Sequence, residues 1–207
     1  MLIGTTTIAV DFVSKTFQLS DGSIVNCFIY DTAGQEKFNS INETYYKKAD
    51  AVLLVYDVTN RLSFDLVKEY YSKKIKELCK KNIPIILLGN KTDKVKERKV
   101  QQEEGVKLAF AHKYKFKETS CLKNENVSDS FEALIEMWNL EVLKKTKRNE
   151  ILEIIGKDSE KITENIKGED KDKNDENSKQ KTITITIENN LKEKKKGSKC
   201  CLSFKKK

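Results

Sequence analysis

Two kinds of apolar pattern alternate along the chain. Residues 8–19 (IAVDFVSKTFQL) and 24–30 (IVNCFIY) are rich in β-branched and aromatic side chains, and Ser20-Asp21-Gly22-Ser23 between them predicts a hairpin turn. After that the apolar residues come in unbroken runs of strand length, AVLLVYD at 51–57 and IPIILLGN at 83–90. Parallel strands buried on both faces have this pattern. Helical stretches lie between and after them, at 62–81, 101–112 and 127–147, and in the last of these Val127, Phe131, Leu134, Ile135 and Trp138 recur at helical spacing. The alternation predicts an α/β fold, a mostly parallel sheet with helices on both faces. Beyond residue 150 the periodicity decays into Lys, Glu, Asp and Asn, interrupted only by the alternating TITITI of 182–187. The expected organisation is a globular domain over 1–148 and a disordered charged tail over 149–207.

Composition supports that division. With 207 residues, 38% hydrophobic and 35% charged, the chain is too polar for every segment to be packed, so one core with a solvated extension is expected. The net charge of +8 is unevenly spread: residues 189–207 hold eight lysines against one glutamate. Cys27, Cys79, Cys121, Cys200 and Cys201 show no metal-ligand spacing, and His112 is the single histidine. His112 is read as a helix-end surface residue and Trp138 as core. Reduced thiols, no apolar run long enough for a bilayer and no secretory signal pattern lead to an expected cytoplasmic location, free or attached from the cytosolic side.

Ligands of open parallel sheets sit beyond the carboxyl ends of the strands, so the residues that follow each apolar run carry the chemistry. After 24–30 comes Asp31-Thr32-Ala33-Gly34-Gln35-Glu36. A carboxylate at a strand end suits Mg²⁺, usually through water. Gly34 lets the backbone approach a terminal phosphate, and Gln35 can orient an attacking water. After 83–89 comes Asn90-Lys91-Thr92-Asp93. Asp93 can accept hydrogen bonds from the N1 and N2 edge of guanine, which adenine does not offer; the Lys91 stem can cover the base, and Asn90 can tie loops together. After KFKE comes Thr119-Ser120-Cys121, whose backbone N–H can reach the guanine carbonyl oxygen. Any one of these motifs alone is usually a turn, because Asn, Asp and Gly are turn formers. It is their order, each at a strand end, that carries meaning.

The set Thr7-Ile8, DTAGQE, NKTD and ETSC resembles the small GTPases of the Ras superfamily. The Rab branch is the most similar, through Ile8-Ala9-Val10-Asp11-Phe12 (with Ala9 where glycine is usual), Lys37 to Ile41, Tyr45 to Ala49 and Leu54 to Thr59. The Ile8–Phe12 and Tyr45-Tyr46 segments argue against the Ras or Rho branches. The resemblance runs to about residue 140 and implies a nucleotide-binding fold, GTP and GDP with Mg²⁺, and slow GTP hydrolysis as a switch in vesicle traffic. It implies Thr7 and Asp31 at the metal, Asp31 through water, with Thr7 and Gly34 also at the γ-phosphate and Gln35 as the catalytic residue. Asn90, Lys91, Asp93, Ser120, Cys121 and Leu122 would form the base site. Cys121 and Leu122 stand where alanine and lysine are usual, and Leu122 keeps only the apolar part of that lysine. The implied partners are exchange factors, GTPase-activating proteins and effectors through 5–12 and 31–46, together with prenylation and escort machinery. Nucleic acid is not among them.

One family element is not found. No G-x-x-x-x-G-K-[ST] occurs: of eight glycines only Gly156 precedes a lysine, Asp158 follows, and Ile151 stands where the first glycine belongs. That loop supplies the backbone N–H nest, the phosphate lysine and a hydroxyl ligand for Mg²⁺. The first strand and helix of the family fold are therefore expected to be missing, which leaves unpaired edges in mid-sheet. The expected protein is a shortened form of a GTP-switch protein with doubtful nucleotide binding. The alternatives are a nucleotide-independent pseudo-GTPase binding module or a truncated, non-functional product. At the other end, lysines surround Cys200-Cys201, a pair implied to be prenylated, with palmitoylation as the alternative, and to hold the protein peripherally on an anionic endomembrane surface. The pair is followed by six further residues, Leu202 to Lys207, where the family usually ends.

Overall fold

The computed structural model describes residues 10–32, 39–80, 82–161 and 181–189. The hairpin opens the fold: β1 (Val10–Gln18) pairs antiparallel with β2 (Ile24–Thr32) in a register that sets Val10 against Thr32 and Gln18 against Ile24. Its turn is fixed by Asp21, whose Oδ1 accepts the Ser23 N–H at 2.9 Å and the Ser23 hydroxyl at 2.6 Å. Gly22 supplies a φ of +80°, where a side chain would be strained.

The two apolar runs form β3 (Ala51–Asp57) and β4 (Ile85–Asn90), parallel to each other, and β5 (Lys115–Thr119) pairs with β4. Every residue of β3 is buried. The reason is that its alternate side chains enter different cores: Ala51, Leu53 and Val55 face α5 (Val127–Lys161), while Val52, Leu54 and Tyr56 face helices on the other side. On that other side lie α2 (Arg61–Leu66), a π-helical turn (Val67–Tyr71), α3 (Ser72–Leu78) and α4 (Gln102–His112). The stretch expected as one helix over 62–81 is thus interrupted by the π turn. α4 starts with a reciprocal cap between Gln101 and Glu104 and stops at Lys113, whose φ of 60° is left-handed. A short helix not evident in the sequence, α1 (Asn39–Lys48), precedes β3 and buries Tyr46.

The tail departs most from expectation. α5 continues past 147 to Lys161, and the alternating segment is a strand, β6 (Lys181–Asn189). β6 lies inside the sheet, in the order β1-β2-β6-β3-β4-β5, parallel to β2 on one side and β3 on the other. Mid-sheet edges therefore do not stay open as anticipated. Ile183, Ile185 and Ile187 are buried against α5, and this burial gives the segment a reason to order that its charged surroundings lack. α5 runs across residue 148, where the domain is expected to end, and residues 162–180 and 190–207 lie outside the described ones.

Candidate functional site

Because β2, β6, β3, β4 and β5 run parallel, their carboxyl ends share one edge of the sheet. Asp31, Asp57, Asn90 and Thr119 stand at the ends of four of these strands on that edge.

The loops after β4 and β5 are bound to each other by side chains. Asn90 is buried, and its Oδ1 accepts the Thr119 hydroxyl at 3.3 Å and the Cys121 N–H at 3.2 Å. Thr92 donates its N–H and its hydroxyl to the Thr119 carbonyl, each at 3.2 Å. Ser120, fully buried, donates its hydroxyl to Asp93 Oδ1 at 2.6 Å and receives the Lys123 N–H at 3.2 Å. These bonds hold the half-buried Asp93 carboxylate in one orientation, and among the described residues its second oxygen accepts no hydrogen bond. Lys91 has a left-handed φ of 73°, which turns its stem back toward β3; its Nζ stands 2.7 Å from Asp57 Oδ2. That contact is ionic and not an aligned hydrogen bond. The other oxygen of Asp57 accepts the Thr59 N–H at 2.8 Å and the Thr59 hydroxyl at 2.7 Å.

A family model of the Ras family matches residues 4–140. The chain belongs to the Ras family. Among curated proteins it is similar to Ras-related protein Rab-26 of Rattus norvegicus, 42% identical over 128 residues that make up 62% of this chain and 49% of the relative. Ras-related protein Rab-8 of Diplobatis ommata is 38% identical over 151 residues, 73% of this chain and 71% of the relative. Ras-related protein Rab-8B of Homo sapiens is 42% identical over 125 residues, 60% of this chain and 59% of the relative. The chain thus spans about half the length of Rab-26, and within the Ras family it belongs with the Rab-type members.

Within this Rab-type chain, the structure brings Asn90, Lys91, Asp93, Ser120 and Cys121 together at one corner. Leu122 stands beside them with 80% of its surface exposed. Asp31, two strands away from β3, is half-buried. Thr7, Gly34, Gln35, Cys200 and Cys201 lie outside the described residues. Among the described residues no group of three or more His, Cys, Asp or Glu could hold a metal ion. The Cys121 N–H is already given to Asn90, so it meets a guanine oxygen only by sharing or leaving that acceptor.

Two contributors were missed. Asp57 fixes Lys91, and Arg98 forms a forked pair with Glu118 at 2.7 and 3.0 Å, which braces β5 just before Thr119. Hydrogen bonds from Arg98 to Glu118 hold the guanidinium further in its charged form. A carboxylate closing an otherwise wholly apolar strand was the available signal for Asp57; nothing in the sequence pairs Arg98 with Glu118.

On the face of the β1–β2 hairpin opposite α5, Phe12 stacks on Phe28 at 5.8 Å and leans on Tyr30 at 5.2 Å, and Tyr30 meets Tyr45 of α1 at 4.7 Å. Phe12 is 50% exposed, so this aromatic cluster opens to solvent within the segments 5–12 and 31–46 and their neighbours. His112 ends α4, as expected, but is half-buried and stacked on Tyr114, and burial lowers its proton affinity. Trp138 is half-buried against the α5-side core.

Proposed function

We propose that this chain carries the guanine-reading half of a Rab-type switch of vesicle traffic, with GTP and GDP as ligands. The observation that carries this reading is the Asp93 carboxylate, oriented by the buried Ser120 hydroxyl at 2.6 Å and framed by the Asn90 cross-tie. An oriented carboxylate accepts from the paired donors of guanine, and the Lys91 stem lines the same corner. The base half therefore fits a guanine nucleotide. Asp31 stands where it would contribute a water-mediated contact to Mg²⁺, and Thr7, Gly34 and Gln35 take the metal, phosphate and water roles in the proposal, with Gln35 as the hydrolytic residue.

Residues 1–207 contain no G-x-x-x-x-G-K-[ST], so the purified chain should hold nucleotide weakly. Titration of 1–207 with fluorescent GDP and xanthosine diphosphate tests both points. Weak binding with guanine preference is expected, and Asp93→Asn should shift that preference toward xanthine; an unchanged preference removes Asp93 as the reader, and nanomolar magnesium-dependent binding refutes the weakness. A second reading, partner binding without nucleotide, is favoured by the solvent-open aromatic cluster of Phe12, Tyr30 and Tyr45, through which effectors and regulators would dock.

The proposal extends to the lysine-rich tail, which would carry lipid on Cys200 and Cys201 through prenylation machinery and sit on an anionic cytosolic membrane face. Among the described residues no helix is long and apolar enough to cross a membrane. Fractionation of wild type against Cys200→Ser/Cys201→Ser should show loss of membrane attachment in the variant. Equal solubility of the two would end the anchor idea.

A further inference from the structure

The middle of the sheet is filled from a distance. β6 sets Val25 to Thr32 against Lys181 to Glu188 on one side, and Ala51 to Val55 against Ile185 to Asn189 on the other. Among the described residues β2 and β3 have no pairing with each other, so the space between them is one strand wide. The requirements of this slot can be read from its walls. On the α5 side it takes apolar side chains, supplied by Ile183, Ile185 and Ile187. On the other face it meets threonines, with Thr182 exposed, Thr184 half-buried and Thr186 buried.

The entrance is equipped for a strand longer than β3 can pair. Asp50, just before β3, accepts the Thr184 N–H on Oδ2 at 3.1 Å and donates its own N–H to the Thr184 carbonyl at 2.9 Å. The Lys181 ammonium donates to Asn139 Oδ1 at 2.8 Å.

Both walls also have ties outside β6, more of them on the β3 side. The hairpin is joined to α5 by the Ser20 N–H on Glu136 Oε1 at 3.0 Å and by the Asn139 amide on Asp21 Oδ2 at 3.2 Å, and Phe17 and Leu19 pack in the α5-side core, which they share with Ile183, Ile185 and Ile187. β3 and β4 have a second core with α2, α3 and α4 that contains no β6 residue. The segment 162–180 that leads to β6 is dominated by Lys, Glu, Asp and Asn. Fully extended, it reaches on the order of 60 Å, more than the width of a domain of this size.

We propose that the slot between β2 and β3 is a strand-binding site specific for one parallel strand of alternating isoleucine and threonine, and that residues 181–189 are its tethered ligand, which leaves and returns while the other five strands stay folded. Main-chain pairing on two sides supplies affinity, and the isoleucine face supplies specificity, as in other recognition by strand addition. Nucleotide binding plays no part in this pairing.

Two experiments decide it. Cys27 of β2 is in register with Ile183, and paired positions of neighbouring strands fall within disulfide range. Ile183→Cys, in a full chain that also carries Cys200→Ser and Cys201→Ser, should on mild oxidation form a disulfide between Cys27 and the introduced thiol within one molecule, read by peptide mass. A disulfide between two molecules would assign the strand to a second copy, and no disulfide would leave the slot without this strand; either overturns the proposal. For exchange, a labelled peptide KTITITIEN is added to the full chain carrying Ile185→Asp, which puts an unpaired charge on its own strand. Saturable one-to-one binding is expected, at least tenfold tighter than that of the same peptide with Ile185→Asp. A folded variant that does not bind the peptide overturns the proposal. A variant that does not fold alone shows that the other five strands need β6 to stay folded, which overturns the proposed exchange.

Discussion

Thr186 offers the sharpest measurement of how deeply β6 is embedded. It sits between Tyr30 of β2 and Val52 of β3, has no exposed surface, and among the described residues its Oγ1 has no hydrogen-bond partner. Burying a hydroxyl without a partner costs about 1–3 kcal/mol on the scale of protein substitutions. Thr186→Val keeps the β-branched shape that suits a strand and removes the unsatisfied oxygen, so it should stabilise the protein by about 1–2 kcal/mol. For a chain of this size each kcal/mol moves the melting temperature by roughly 2–4 °C, so a rise of about 2–8 °C is expected. Thermal and urea unfolding by circular dichroism measures it, with Thr182→Val as the control. Thr182 is exposed, so the control should change stability by no more than about 0.5 kcal/mol. If Thr186→Val is neutral or destabilising while the control behaves as stated, the hydroxyl is hydrated or bonded and β6 is not packed mid-sheet.

Gly105→Ala, ordinarily favourable inside a helix, should instead destabilise by about 1–3 kcal/mol. The new Cβ would lie 2.5 Å from the Phe116 ring and 2.6 Å from the Tyr56 hydroxyl oxygen, and a raised urea midpoint would refute that crowding. The Ser23 hydroxyl and N–H on Asp21 depress its carboxyl pKa to about 2. A depressed folded-state pKa stabilises above the unfolded value near 4 and loses that contribution as pH falls toward 2. Asp21→Asn should therefore flatten the pH dependence of the melting temperature between about pH 4 and about pH 2, and identical slopes in the two proteins would remove Asp21 from acid unfolding.

Legibility in the sequence followed the range of the interactions. The hairpin was visible because Asp21 and Gly22 set its turn locally, and β3 and β4 were visible because two-sided burial writes an unbroken apolar run. The 127–147 helix showed through its stripe, but its extension to Lys161 did not, since Ile151, Leu152, Ile154 and Ile155 form only a brief apolar group that is followed by Gly156 and charged residues. α1 was hidden because a polar segment such as NSINETYYKK buries chiefly Tyr46 and carries no sustained apolar period. TITITI has the alternation of a half-buried strand beside solvent, but its charged surroundings put it in the expected disordered tail. Nothing local says that Ile183 will face Cys27, because pairing partners far apart in sequence are chosen by the whole sheet. The loops of the candidate site were legible as motifs because their residues act where they stand. The Asp57–Lys91 contact was not, since a lysine stem can reach several carboxylates and only the fold selects one.

The place of β6 also fixes an order of events during synthesis. Cys27 and Ile183 are neighbours in the sheet yet about 150 residues apart in the chain. A ribosome delivers both flanks of the sheet well before it delivers the middle. Closing so long a loop comes before any of its contacts reward it, which puts this fold at the slow end of its size class. During that interval the inner edges of β2 and β3 offer unpaired N–H and carbonyl groups to any strand nearby, including those of other nascent copies. Completion of the sheet thus waits for a segment that follows the other five strands in the chain.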